Sequence, residues 1–137
     1  MKLIQRKQYL EKLINVMGTP DIKVITGVRR SGKSKLLEAF KSYILENNEN
    51  ANMIHINFNL PEYDHLIEYK ALYDYVNSQY QENKDNFVFI DEVQNVRNFE
   101  PVLNAWREDG DFSIFITGSN SYLLSGELVT KLTGRYI

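Results

Sequence analysis

Apolar residues at the start of the chain recur at helical spacing: Tyr9, Leu10, Leu13, Ile14 and Met17 share one face, and Gly18 and Pro20 then stop the predicted helix. Ile22 to Thr26 is a short β-rich run and reads as a buried strand ending at Gly27. The loop Gly27 to Gly32 leads into a second helix with Leu36, Leu37, Phe40 and Ile44 on its apolar face, and Asn47-Asn48-Glu49-Asn50 follows as a polar loop. From Met53 to Phe58, Ile54, Ile56 and Phe58 alternate with His55 and Asn57, the period of a strand, and Pro61 breaks it. A tyrosine-rich helix is predicted roughly from Leu66 to Tyr80, a third strand over Phe87 to Ile90, a helix around Pro101 to Trp106, and a fourth strand over Phe112 to Thr117. Short helical pieces are expected from Ser121 to Leu132. Strands alternating with helices predict an α/β fold, a parallel sheet with helices on both faces. Ligands of such sheets sit at the carboxyl ends of the strands. Three polar groups fall there: the Gly27 loop, Asp91-Glu92 and Ser119-Asn120.

The first group is Gly27-Val28-Arg29-Arg30-Ser31-Gly32-Lys33-Ser34, followed by Lys35, and it matches the full phosphate-loop pattern. Glycines let the backbone curl and approach oxygen closely. Successive N–H groups then converge on an anion, and the next helix adds its positive end. Lys33 is expected to reach the β- and γ-phosphates and Ser34 to ligate Mg²⁺. With glycine near 7% of residues, a random chain of this length matches on the order of one time in 200. This match also lies between a strand and a helix, where the chemistry requires it. Arg29 and Arg30 fill free positions; they are either solvated surface charge or added positive potential over the phosphates.

The second group ends the run Phe87-Val88-Phe89-Ile90-Asp91-Glu92. Alone, an apolar strand ending in acids is a weak signal. Behind a phosphate loop it reads as the other half of a nucleotide site, with Asp91 aimed at the magnesium shell and Glu92 as general base for water. Glu92 argues against a small-molecule kinase, which must keep water from attacking. A guanine reader would need Asn-Lys-x-Asp, and Asn83-Lys84-Asp85-Asn86 fails at its fourth position.

In the third group, Ser119 or Asn120 would contact the γ-phosphate or the attacking water, on a strand expected between the loop strand and the acidic strand. The plainer alternative is Ser119 as a helix N-cap after Gly118. Arg135 is either a surface arginine or one that serves the γ-phosphate of a neighbouring copy. His55 and His65 lack metal-pair spacing and read as structural or exposed.

Bulk properties add limits. The 137 residues suit one domain, and a net charge of −2 supplies no global basic field for nucleic acid. No cysteine is present, which removes thiol chemistry and fits a cytoplasmic protein. No apolar run reaches the roughly 20 residues of a membrane span, and no signal core follows the charged N-terminus.

Val24 through Ser34, the block Phe89-Ile90-Asp91-Glu92-Val93-Gln94-Asn95-Val96, and Phe115 through Ser121 with Leu132-Thr133-Gly134-Arg135-Tyr136 together resemble a prokaryotic family of AAA-type ATPases. The resemblance runs in order over nearly the whole chain. It implies a three-layer P-loop NTPase domain over residues 1–137 that binds ATP or ADP with Mg²⁺. It also implies a polar sensor at Ser119-Asn120 and a conspicuous Arg135. Family members are longer, with a C-terminal domain, so this chain reads as an N-terminal piece lacking the last strand and the helical lid. Three functions follow as expectations: ATP hydrolysis coupled to a conformational change in a downstream domain or in a protein or DNA partner of unknown identity, a nucleotide-binding switch or interaction module with little turnover, or part of a nucleic-acid motor.

Overall fold

The computed structural model of the protein describes residues 3–18, 21–25, 30–118 and 134–136. The elements run α1 (Leu3–Val16), β1 (Ile22–Ile25), α2 (Arg30–Asn47), β2 (Ala51–Asn57), a 3-10 segment (Pro61–Leu66), α3 (Tyr69–Gln79), β3 (Asp85–Asp91), a 3-10 turn (Val93–Asn95), α4 (Phe99–Asp109), β4 (Phe112–Thr117) and β5 (Gly134–Tyr136). The strands form one sheet in the order β2-β3-β4-β1-β5, and every pairing is parallel. β4 lies between the loop strand β1 and the acidic strand β3, as the sequence predicts.

Strand residues alternate between two cores, one on each face of the sheet. Ile22, Val24, Ile54, Ile56, Val88, Ile90, Ile114 and Ile116 face α3 and α4, where Trp106, Leu103, Phe99, Leu72 and Val76 meet them. Ile25, Phe87, Phe89 and Phe115 face α1 and α2, against Leu13, Leu36, Leu37, Phe40 and Ile44. The first face is β-branched and the second aromatic. Phe89 and Phe115 stack at 5.0 Å, and Phe40 of α2 stands edge-on to both, at 6.0 and 5.0 Å. This packing fixes α2 over β3 and β4 at fully buried positions.

Several expectations move. No bare edge lies beside β1: Gly134–Tyr136 pairs along it, with Lys23 opposite Arg135, so the fifth strand is present where it was expected to be missing. All four β1 residues are buried, and backbone groups buried that deeply need partners on both sides. The helix α2 starts at Arg30 rather than after Gly32, because first-turn N–H groups need no intrahelical partner. The tyrosine-rich helix starts at Tyr69, not Leu66. Pro61 opens a 3-10 segment first, Leu66 is buried as its anchor, the Ile67 carbonyl accepts the Arg97 N–H at 3.1 Å, and extended Glu68 then leads into the helix. The fourth helix extends beyond Pro101–Trp106 at both ends. Pro101 sits in its first turn, where a missing N–H costs nothing, and Gly110 ends it at φ +74°, donating to the Trp106 carbonyl at 3.0 Å. The helical pieces expected over Ser121 to Leu132 lie outside the described residues. Among the described residues no helix is long and apolar enough to cross a membrane.

Candidate nucleotide site

All strands run the same way, so their carboxyl ends share one edge of the sheet. β1 ends there at Ile25, and α2 begins just beyond, at Arg30. The backbone of Arg30, Ser31, Gly32, Lys33 and Ser34 forms the first turn of α2, with Gly32 buried within it and the Lys35 side chain exposed. Gly27, Val28 and Arg29 lie outside the described residues, as do the side chains of Arg30, Ser31, Lys33 and Ser34. So the two elements that a phosphate loop must join meet at this edge.

Asp91 arrives at the same edge because Phe87 to Ile90 are buried and carry β3 straight through the core. Ile25 pairs with Thr117, and Ile90 with Ile116, so Thr117 stands between β1 and the end of β3. The Thr117 hydroxyl donates to Asp91 Oδ1 at 3.0 Å and accepts the Glu92 N–H at 3.2 Å. The other oxygen, Asp91 Oδ2, meets His55 Nε2 at 2.8 Å. His55 Nδ1 in turn receives Lys41 Nζ of α2 at 2.8 Å. Lysine is a donor only, so Nδ1 must accept and the ring proton belongs on Nε2, pointing at Asp91. The side chains are mostly shielded, His55 21% and Asp91 14% exposed.

Glu92 turns the chain sharply, with φ 60° and ψ 51° in the left-handed region. A non-glycine residue there costs on the order of 1–3 kcal/mol, and such strain clusters at functional sites. The Asn95 side chain donates to the Glu92 carbonyl at 2.9 Å and buried Val93 anchors the turn. The Glu92 carboxylate accepts from Gln94 Nε2 at 2.7 Å.

Of the residues singled out by sequence, Asp91 and Glu92 therefore stand at the carboxyl edge, beside the start of α2. Ser119 and Asn120 lie outside the described residues, just past Gly118 at the end of β4. Arg135 stands in β5 level with Lys23, short of the carboxyl end of β1. Asn83 to Asn86 lie at the opposite, amino edge, which removes them as base readers. Thr117, His55, Lys41 and Gln94 were not picked out as site residues. The signal for His55 was its place in the polar phase of β2: in a sheet covered on both faces, that phase points under a helix, and the ring lies 6.0 Å from Phe89.

The donor set fits magnesium held with phosphate. Mg²⁺ uses one or two carboxylates plus phosphate oxygens and water rather than a protein cage. Asp91 offers one oriented carboxylate, and among the described residues no group of three His, Cys, Asp or Glu could hold a metal.

A family model described as "AAA domain" matches residues 19–137. An uncharacterized protein of Haemophilus influenzae is 39% identical over 137 residues, covering 98% of this chain and 34% of that protein. An uncharacterized protein of Methanocaldococcus jannaschii is 34% identical over 142 residues, covering 98% and 30%. This chain thus spans about a third of the length of either relative. Among solved structures, Cdc6p from Pyrobaculum aerophilum superposes with a TM-score of 0.63 at 15% identity, covering 99% of this chain and 45% of that one. At that identity the likeness is one of fold.

Proposed function

The chain belongs to the AAA domain family and forms a P-loop ATPase-like core, and from that premise we propose that it binds ATP with Mg²⁺ and hydrolyses it within a longer protein. The observation that carries the reading is one sheet edge shared by the end of β1, the start of α2 and an Asp91 fixed by two hydrogen bonds.

In this reading residues 1–137 are the first part of the ATPase domain. The amides of Gly27, Val28, Arg29, Arg30, Ser31 and Gly32 and the start of α2 grip the phosphates, with Arg29, Arg30 and Lys35 adding positive potential. Lys33 binds the β- and γ-phosphates. Ser34 and Asp91 hold magnesium, which when bound neutralises phosphate charge. Glu92 takes the proton of the attacking water. Ser119 or Asn120 at the tip of β4 contacts the γ-phosphate, and Arg135 serves the site of a neighbouring copy in a self-assembled form. Turnover drives a change in a downstream domain or in a protein or DNA partner, in the cytoplasm.

The test is nucleotide binding and phosphate release by the full-length protein. Lys33→Ala should abolish Mg²⁺·ATP binding. Glu92→Gln should bind but release phosphate at least about 100-fold more slowly. A full-length protein that binds no ATP with Mg²⁺ would end this reading.

A second reading, a nucleotide switch with little turnover, draws on the Gln94 bond to one oxygen of the Glu92 carboxylate, the group that must accept a proton. Under it, Gln94→Ala raises turnover; an unchanged or lower rate excludes it.

A further inference from the structure

His55 is a polar side chain on the aromatic face of the sheet, close to the nucleotide edge. Its strand neighbours on that face, Ala51 and Met53, pack into the core with Phe87, Phe89 and Phe115. A leucine would fill the same place against Phe89. Instead the ring commits both nitrogens, one to Lys41 and one to Asp91. Four elements are joined in one line: Lys41 from α2, His55 from β2, Asp91 from β3 and Thr117 from β4.

The geometry points to His55 as the positioning residue for Asp91, with Lys41 fixing the ring behind it; this rests on the Mg²⁺·ATP reading of the site. An aspartate at a strand end has two free torsions, and its carboxylate must otherwise be ordered when a cation arrives. Here Thr117 holds Oδ1 and His55 holds Oδ2, so the plane of the carboxylate is set beforehand. Each oxygen has acceptor capacity for a further bond, and the hydrogen-bonded plane decides where that capacity is aimed. Lys41 removes the alternative ring state, since a proton on Nδ1 would face an ammonium. Residues that orient a metal-binding group in this way typically govern metal affinity by 10–100-fold when lost. Lys41 also belongs to the helix that follows the phosphate loop, so the position of α2 and the aim of Asp91 are tied together.

The experiment measures binding of a fluorescent ATP analogue to the full-length protein during Mg²⁺ titration, with Mn²⁺ electron paramagnetic resonance as a direct count of bound metal. His55→Leu should raise the Mg²⁺ half-saturation about tenfold, while nucleotide affinity in chelator stays within about twofold. His55→Gln places an amide N–H where Nε2–H stood and should recover most of the loss. Lys41→Met should shift the same value about threefold, and carries the test alone if His55→Leu does not fold. A wild-type half-saturation in His55→Leu, or in Lys41→Met when it stands alone, overturns the proposal. So does His55→Gln failing as fully as His55→Leu. If wild type binds no nucleotide, or Lys33→Ala makes no difference, the ATP reading itself has failed instead.

Discussion

At its amino end β3 begins Asp85-Asn86; at its carboxyl end it runs into Asp91-Glu92, a pair of nearly the same size and polarity. The amino end is closed. The Asn86 amide, 4% exposed, accepts from Asn52 Nδ2 at 2.7 Å and the Gln81 N–H at 3.0 Å. It donates to the carbonyls of Gln81 and Lys84, both at 3.0 Å. All of its hydrogen-bonding capacity serves to pin the loop before β3. The carboxyl end is arranged differently. Asp91 is gripped from both sides yet keeps acceptor capacity, and Glu92 sits in a backbone region that most residues avoid. Polar groups at one end make the strand start; at the other, under the proposed function, they serve a nucleotide.

That contrast can be broken from either side. The largest effect belongs to the carboxyl end: Glu92→Gln should slow hydrolysis by about 10²–10⁴ while its melting temperature stays near wild type. Next is Asn86→Ala, which strands several buried partners and should cost about 2–3 kcal/mol, seen in chemical denaturation, with turnover per folded molecule unchanged. Thr117→Val keeps the shape but removes both bonds of the hydroxyl. It should cost about 1 kcal/mol and weaken Mg²⁺-dependent nucleotide binding, a mixed outcome that marks Thr117 as belonging to both roles. The smallest change in stability is that of Glu92→Gly, which should gain up to about 1 kcal/mol by relieving the left-handed backbone, with hydrolysis lost as in Glu92→Gln. If Asn86→Ala proved the inactive variant and Glu92→Gln the unstable one, the distinction between the ends would be lost.

Much of this was legible beforehand because the relevant patterns are local. The phosphate-loop sequence and the apolar run into Asp91-Glu92 each act through neighbours in sequence. The placement of β4 between β1 and β3 followed from the strand order general to ATPase sheets rather than from any residue. What escaped required knowing what lies across the sheet. Thr117 reads as the last residue of a strand; only the register beside Ile25 and Ile90 gives its hydroxyl two partners. His55 alternates with isoleucines, and alternation suggests solvent when one face of a sheet is bare. With helices expected on both faces, the same pattern should have pointed beneath α2. The boundary at Leu66 failed for a related reason: an anchoring leucine looks the same at the end of a 3-10 segment as at the start of a helix.

The pairing of β5 with β1 has a mechanical consequence. It flanks β1 on both sides, so the phosphate loop is anchored to an interior strand rather than to a rim. Interior strands are the last to open, and amide exchange at Lys23 and Val24 should rank with the slowest in the domain.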